Sequence, residues 1–583
     1  MGRRWKAFLA LGLVSVMIAP SVASTWPASA WEAEEPPLAE AFPEEERLPE
    51  DEDGWMIWEA GEPAERIEDV RAVFVGEVPE EYRDAACYAV YRGLLETDGE
   101  FQGEEPVTRG EALQALYRLG GGVPEEYAAP DELVSRSQLA VMLYRFSQGR
   151  GDDMTCRRAV YSAEDVIPED AWEAWDWVLD RGLYAGMTDH GLYPDLPVSR
   201  NQLAAALARM QMDRDPLAAE LRLPENGESA SRSRENHEAL DQAVNAIAKR
   251  HGAVGVQVAV IEHGAVTDTY TYGWSVKGST PMTDQHKMRV ASLSKVMVGV
   301  SAALLEEEGV VDYDAVIGDY WGVEPRKPVT IRSMLTHTST LLNSESLAWD
   351  RAGVQSQLVS ASGYGGGTPG SLGYWSYNNH AFGILGQTLE LASGRFLDDI
   401  LQDRLLGYLG ADGSFAAGEL AHPELVSPLY RAGGSLGRSH DSLVSVRRWS
   451  SPGATGRQFA GGFTTSARDY AKLVAVLAGD GCFEGVRLMD ADSVALMESH
   501  GGQALPGGTY QAMPMRLRFN TYGREGLYYH TGSAYGVYNL VSYDPFAGDG
   551  VVVLTMGAGG GKDECGIYAV CGEISRAVYD AIQ

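Results

Sequence analysis

One phrase occurs three times between residues 107 and 202: a hydroxyl residue, an arginine, any residue, then Glu or Gln. The copies are Val107-Thr108-Arg109-Gly110-Glu111, Val134-Ser135-Arg136-Ser137-Gln138 and Val198-Ser199-Arg200-Asn201-Gln202, each leading into an apolar helical run. Each reads as a capping box, with Thr or Ser closing the helix start and Glu or Gln answering three residues on. A repeated unit cannot bury its apolar face alone, so the copies must stack on one another. The first and third copies are preceded by a further helix ending in Tyr91-Arg92-Gly93-Leu94 and Asp180-Arg181-Gly182-Leu183. In the third, Trp172, Trp175, Val178 and Leu179 fall on one helical face. The middle copy departs from the pattern: residues 120–133 are too few to supply its own first helix and loop.

Residues 67–215 resemble the S-layer homology module, a helical repeat that holds exported proteins on bacterial cell-wall polysaccharide. The resemblance implies an all-α region and gives Arg109, Arg136 and Arg200 a part in gripping a charged wall polymer. The residues themselves allow another reading, in which the arginines pair with acidic neighbours in an ordinary helical domain.

The flanks agree with an exported chain. Residues 1–30 read as a secretory signal: Arg3, Arg4 and Lys6 are basic, Phe8 to Ala19 is apolar, and Ala28-Ser29-Ala30 is a small-residue cleavage site. Cleavage after Ala23 or Ser24 also fits. The apolar run is short for a membrane span, and no later stretch approaches that length, so no transmembrane segment is expected after signal removal. Residues 31–66 form a Glu- and Pro-rich, solvated spacer, and residues 216–236 have linker composition. The 583 residues carry 82 Asp and Glu against 47 Lys and Arg, a net charge of −35. That charge argues against nucleic acid or anionic membrane as partners. The five cysteines show no paired metal-ligand spacing, so neither a metal nor a cofactor is expected. Cys565 and Cys571 could bridge, although six residues apart on one continuous helix fits a disulfide poorly.

The last 347 residues, 237–583, are organised around Ser292-Leu293-Ser294-Lys295. Upstream lie two apolar strands, Val254 to Ile261 and Val266 to Trp274, joined at His263-Gly264. Downstream, Val296, Val300, Ala303 and Leu304 have helical spacing, and Gly309 ends the run. A Ser and a Lys three apart on the first helical turn share a face. Burial would lower the amine's pKa far enough to let it take the hydroxyl proton. Alone, the spacing is weak evidence and favours a surface lysine one turn below a capping serine. Three further stretches change that balance: Ile331 to Ser339 opening a helix, Tyr377-Asn378-Asn379 after a glycine-rich loop, and His530-Thr531-Gly532-Ser533 ending the strand Leu527 to Tyr529.

Ser292-x-x-Lys295, Tyr377-x-Asn379 and His530-Thr531-Gly532, in that order, resemble the three motifs of penicillin-recognising serine hydrolases of the class C β-lactamase and D-Ala-D-Ala carboxypeptidase type. Leu335 to Ser339 and Gly461 to Thr465 are also family-like. The resemblance covers 237–583 and implies an α+β β-lactamase/transpeptidase-like domain, an antiparallel sheet flanked by helices with a helical subdomain. It implies Ser292 as nucleophile, Lys295 as proton acceptor and Tyr377 as partner base and later proton donor, its phenol pKa lowered by the ammonium. Asn379, His530, Thr531, Gly532 and Ser533 would bind substrate, with the Ser292 and Ser533 N–H groups as oxyanion hole. His530 stands where β-lactamases of this type carry Lys, which favours a carboxypeptidase or esterase acting on cell-wall components over antibiotic hydrolysis. His337 reads as a structural histidine.

Two competing readings remain. Gly433-Gly434-Ser435-Leu436-Gly437 fits the G-x-S-x-G elbow of α/β-hydrolases, which needs a buried strand before it and a helix after it. The other is a wall-binding protein with a retired hydrolase fold, disfavoured by the complete set of Ser292, Lys295, Tyr377 and His530.

Overall fold

The computed structural model describes residues 67–582 except 72–73, 75, 77, 98, 121–128, 160, 162–165, 226–233, 345, 503 and 506. The signal segment, the acidic spacer and part of the linker lie outside the described residues.

The repeat region contains five main helices: α1 (Arg83–Tyr91), α2 (Arg109–Gly120), α3 (Arg136–Gly149), α4 (Trp172–Asp180) and α5 (Arg200–Arg209). Both arms of the capping box form at Ser135/Gln138 and Ser199/Gln202. At the first copy, Thr108 N–H donates to Glu111 Oε2 at 3.0 Å, and Glu111 N–H to Thr108 Oγ1 at 3.3 Å. The three helix entries meet in a closed ring. Val107 N–H donates to Val198 O at 2.8 Å, Val198 N–H to Val134 O at 2.9 Å, and Val134 N–H to Val107 O at 2.9 Å. Short as it is, the middle copy therefore completes a three-fold centre. What it lacks is its outer helix: α1 packs on α5 and α4 on α3, but among the described residues no counterpart packs on α2.

Past α6 (Arg234–Arg250), the second region is built on an eight-stranded antiparallel sheet. Its strands are β1 (Gly255–Glu262), β2 (Ala265–Val276), β3 (Thr280–Pro281), β4 (Tyr510–Gln511), β5 (Arg516–Thr521), β6 (Arg524–Ala534), β7 (Val537–Asp544) and β8 (Asp549–Met556). The order is β4-β5-β6-β7-β8-β1-β2-β3. The first strand thus lies beside the last, with Gly255 opposite Met556. β1 and β8 are buried almost throughout, as expected of central strands packed on both faces. α6 and α10 (Ala569–Ala581) cover one face, and α9 (Ala467–Ala478) covers the other.

Between the sheet halves in sequence lie α7 (Ser294–Glu307) and α8 (Asn379–Ser393), which pack on each other. Every residue of α7 from Ser294 to Leu305 is buried, so the helix has no solvent face and carries the core of this region. Gly299 permits that depth: a Cβ there would stand 2.5 Å from Pro514 Cδ.

Three expectations change. His530 does not follow a strand ending at Tyr529; β6 runs on to Ala534 and holds the whole third motif. Cys565 and Cys571 do not share one continuous helix, because the closing helix starts at Ala569, and both are free thiols. Ser435 sits exposed in the turn of a small hairpin between Leu429–Tyr430 and Leu436–Arg438, and a second strand rather than a helix follows it, which removes the α/β-hydrolase elbow.

Candidate active site

Ser292 stands on a 3₁₀ turn, Ala291–Leu293, rather than on the first turn of the helix; α7 begins at Ser294. The residue before it, Ala291, has φ +53°, a left-handed conformation costing about 1–3 kcal/mol for a residue with a Cβ. Its surroundings hold it there. Ser294 Oγ donates to Ala291 O at 2.6 Å and accepts from Phe463 N–H at 2.9 Å. Val290 N–H donates to Phe463 O at 2.9 Å, and Tyr470 OH to Leu293 O at 2.9 Å. The Gly461 to Thr465 stretch thus braces the turn that presents Ser292.

Lys295 is fully buried. Its Nζ donates to Ser292 Oγ at 3.2 Å and to Ala460 O at 2.8 Å, and lies 5.0 Å over the Tyr377 ring. Among the described residues no carboxylate pairs with it. Burial alone pushes its pKa down from 10.5 to about 7, so a large share of the amine is neutral at neutral pH. Tyr377 is hydrogen-bonded to Ser292, and burial raises its phenol above the usual value, more than the Ser292 bond and Arg516 lower it. The sequence-based expectation of a lowered phenol pKa is reversed. The ammonium invoked for it is itself partly neutral, which leaves Lys295 the better proton acceptor and Tyr377 a protonated neighbour.

Tyr377 and Asn379 are presented by the entry to α8. Asn378 caps that helix, its Oδ1 accepting from Ala381 N–H at 2.8 Å while its Nδ2 donates to Leu341 O at 2.7 Å. Asn378 N–H donates to His337 Nδ1 at 3.1 Å, and the His337 ring packs 4.5 Å from Tyr377. His337 is buried, with its pKa well below 6.5 through burial and nearby cations; it fixes the loop. His380 is likewise buried and bonds Gln357 at 2.7 Å.

His530 is buried on β6, its Nδ1 bonded to Thr531 O at 2.9 Å. That bond makes Nδ1 the protonated nitrogen and leaves Nε2 a lone pair. Burial, Lys295 and Arg516 together hold its pKa well below 6.5, so the ring is neutral. Gly532 brings β6 against the nucleophile turn: a Cβ there would meet Val290 O at 2.4 Å.

These elements enclose a cleft of about 320 Å³ that brings Ser292, Tyr377, Asn379, His530, Thr531 and Ser533 together. Arg516 and Lys562 complete the wall, beside Tyr529 and Tyr568, and among the described residues no carboxylate lines it. Arg516 stands opposite Tyr529 across β5 and β6, its guanidinium 5.4 Å over Trp375 and 5.9 Å over Tyr377. Sequence reading missed both cations, since an isolated Arg or Lys without a motif carries no signal. Asn378 was passed over because it is the variable position of the second motif.

None of the three repeat arginines lines this cleft. Arg200 pairs with Glu111 and lies 5.0 Å over Phe101. Arg109 is buried, and Arg136 is fully buried, donating to Leu192 O at 3.1 Å. Pairing with an acidic neighbour therefore describes Arg200 but not Arg136.

Two family models match the chain: "Beta-lactamase" over residues 240–570 and "S-layer homology domain" over residues 75–113. "Penicillin-binding protein 4*" of Bacillus subtilis (strain 168) is 25% identical over 177 residues, 28% of this chain and 38% of that protein. "Penicillin-binding protein 4" of Amycolatopsis lactamdurans is 24% identical over 339 residues, 56% of this chain and 86% of that protein. Among solved structures, a class C beta lactamase from Rhodobacter sphaeroides is 22% identical, covering 59% of this chain and 98% of its own, with a TM-score of 0.46. A "Beta-Lactamase/D-Alanine Carboxypeptidase" from Pseudomonas syringae is 16% identical, covering 59% and 98%, with a TM-score of 0.47. The chain belongs to the beta-lactamase family of serine hydrolases, with an S-layer homology domain ahead of the hydrolase region.

Proposed function

We propose that this is an exported, wall-anchored serine hydrolase of the carboxypeptidase type, cleaving acyl bonds to an amino acid whose carboxylate is free. Residues 67–215 anchor it and residues 237–583 carry the chemistry. The observation that carries the reading is the cleft's charge: in a chain of net charge −35, the walls beside Ser292 hold Arg516 and Lys562 and, among the described residues, no acid. A carboxylate-bearing substrate gains there what a neutral ester does not.

In this reading Ser292 Oγ attacks the acyl carbonyl while neutral Lys295 takes its proton across the 3.2 Å contact. The N–H groups of Ser292 and Ser533 hold the oxyanion. Tyr377, protonated and bonded to Ser292, gives its proton to the departing amine and is recharged through Lys295. Asn379 and Thr531 position the substrate amide, and His530 offers the Nε2 lone pair to a substrate N–H.

A strained β-lactam offers an acyl donor whose leaving group stays tethered, so a fluorescent penicillin tests the assignment. The expected result is slow, covalent labelling at Ser292 in a peptide digest, lost in Ser292→Ala. Lys295→Ala should slow labelling by about 10²–10⁴-fold. Rapid β-lactam turnover would make the protein a β-lactamase instead. Absence of label together with absence of ester hydrolysis would leave a non-catalytic wall protein.

A further inference from the structure

The three arginine grooves of the repeat region are built alike and filled differently. Arg109, Arg136 and Arg200 each donate a backbone N–H to the loop of another copy, at Glu132 O (2.7 Å), Leu196 O (2.9 Å) and Glu105 O (3.0 Å). The Arg200 side chain pairs with Glu111, the capping-box carboxylate of the first copy. The Arg136 side chain shares its acceptor, Glu484 O, with Gln202, the capping-box residue of the third copy, which offers no charge.

The hydrolase region brings a carboxylate near Arg136: the charge of Glu484 acts on the guanidinium, while the hydrogen bond goes to the Glu484 backbone carbonyl. A hairpin, Cys482–Phe483 paired with Val486–Arg487, turns at Glu484 and enters this groove. Glu484 O accepts from Gln202 Nε2 at 2.7 Å and from Arg136 Nη2 at 3.5 Å. The Glu484 carboxylate lies 3.3 Å from His190 Nδ1 and is only 7% exposed. Phe483 meets Tyr193 edge-on at 5.2 Å. On the other side, Arg487 N–H donates to Glu104 O at 2.9 Å, while its guanidinium pairs with Glu104 at 2.5 Å and approaches Glu105 at 3.7 Å. With the hairpin in place Arg136 has no exposed surface. The contact thus combines an acidic tip, an aromatic side contact and a backbone hydrogen bond across two regions.

We propose that the Arg136 groove is an anion-recognition site occupied by the chain's own Glu484 turn, so that this hairpin and an acidic wall glycan compete for it. The inference rests on the reading of the repeat region as a wall-polymer binder. It makes the hydrolase region an internal ligand of its own anchor: the docked protein binds wall through the remaining grooves, and filling the Arg136 groove with glycan releases the hydrolase.

The test compares sedimentation of the full chain with purified cell-wall sacculi across variants. Phe483→Ala with Arg487→Ala removes the Tyr193 contact and the Glu104 pair while leaving the groove residues untouched. The loosening is checked by faster amide exchange at residue 487. This variant should bind about tenfold or more tightly than the parent, because a further groove adds avidity. Adding Arg136→Gln should cancel that gain, whereas Arg136→Gln in the otherwise intact chain should leave binding unchanged. Equal binding by the loosened variant and the parent overturns the proposal. It stands on that comparison even where Arg136→Gln fails to fold. A parent protein that does not sediment with sacculi overturns the wall-binding reading instead.

Discussion

Gly532 and Val290 touch backbone to backbone: a Cβ on Gly532 would lie 2.4 Å from the Val290 carbonyl oxygen, two residues before the nucleophile. The third motif and the Ser292 turn are therefore seated on each other, and the gap between Ser292 and Ser533 depends on that contact. Gly532→Ala must push β6 away from the turn. The expected cost to stability is about 1–3 kcal/mol, the usual range for overpacking. Penicillin acylation should fall further than stability does. A variant that acylates at the parent rate would separate the Ser533 N–H from the reaction.

Lys295 sets the pH dependence. A group whose pKa falls from 10.5 to about 7 on burial is protonated below that value and neutral above it. Only the neutral amine accepts the Ser292 proton. Acylation kcat/KM should therefore fall about tenfold per pH unit below about 7 and level off above it. His530 adds nothing to this profile, because its pKa is already held well below 6.5. Affinity for carboxylate-bearing substrates should accordingly stay flat as pH crosses the ordinary histidine range. A step in affinity there would mean that His530 is charged and faces the carboxylate.

Arg516 separates substrates by charge. A hydrogen bond to a charged partner is worth about 1.5–3 kcal/mol, or roughly tenfold to a hundredfold. Arg516→Ala should lose that much in kcat/KM on an acyl-amino acid with a free carboxylate. The loss should lie in KM, and p-nitrophenyl ester hydrolysis should change little. Equal losses on both substrates would place Arg516 in support of Tyr377, over whose ring it lies at 5.9 Å.

Asn378 holds Tyr377 and Asn379 in place without lining the cleft. Asn378→Ala removes a helix cap and leaves Leu341 O without that donor. Loss of the cap should cost about 0.5–2 kcal/mol, read as a lower Tm. It should also slow acylation through Tyr377, since the two sit on one loop. Unchanged kinetics would show that the His337 contacts alone fix the phenol.

Motifs whose chemistry is local were legible in the sequence. Ser292 and Lys295 share a face because they are three apart, and the capping boxes at Ser135 and Ser199 are written in four consecutive residues each. What failed to show depended on distant parts. Arg516 and Lys562 reach the cleft only through the sheet and the loop before α10, so nothing near them marks a site. The Tyr377 pKa was misjudged because its sign depends on how deeply the phenol and its lysine are buried. The pairing of Arg136 with a hairpin more than three hundred residues away was beyond any spacing argument.

The neighbouring of β1 and β8 has a consequence for how the molecule comes into being. A chain made from its N-terminus completes the Val107–Val134–Val198 ring early, because all three strands of that junction precede residue 200. β1 then emerges with one edge bare, and its partner, opposite Gly255 at Met556, is among the last segments made. Non-local strand pairing is slow, and an unpaired central strand is prone to wrong partners. The nascent protein therefore passes through a stage with a finished repeat region and an open sheet, in which Ser292 is present but unhoused. A break anywhere ahead of β8 would arrest it there, yielding a molecule whose repeat region is complete and whose catalytic serine has no site around it.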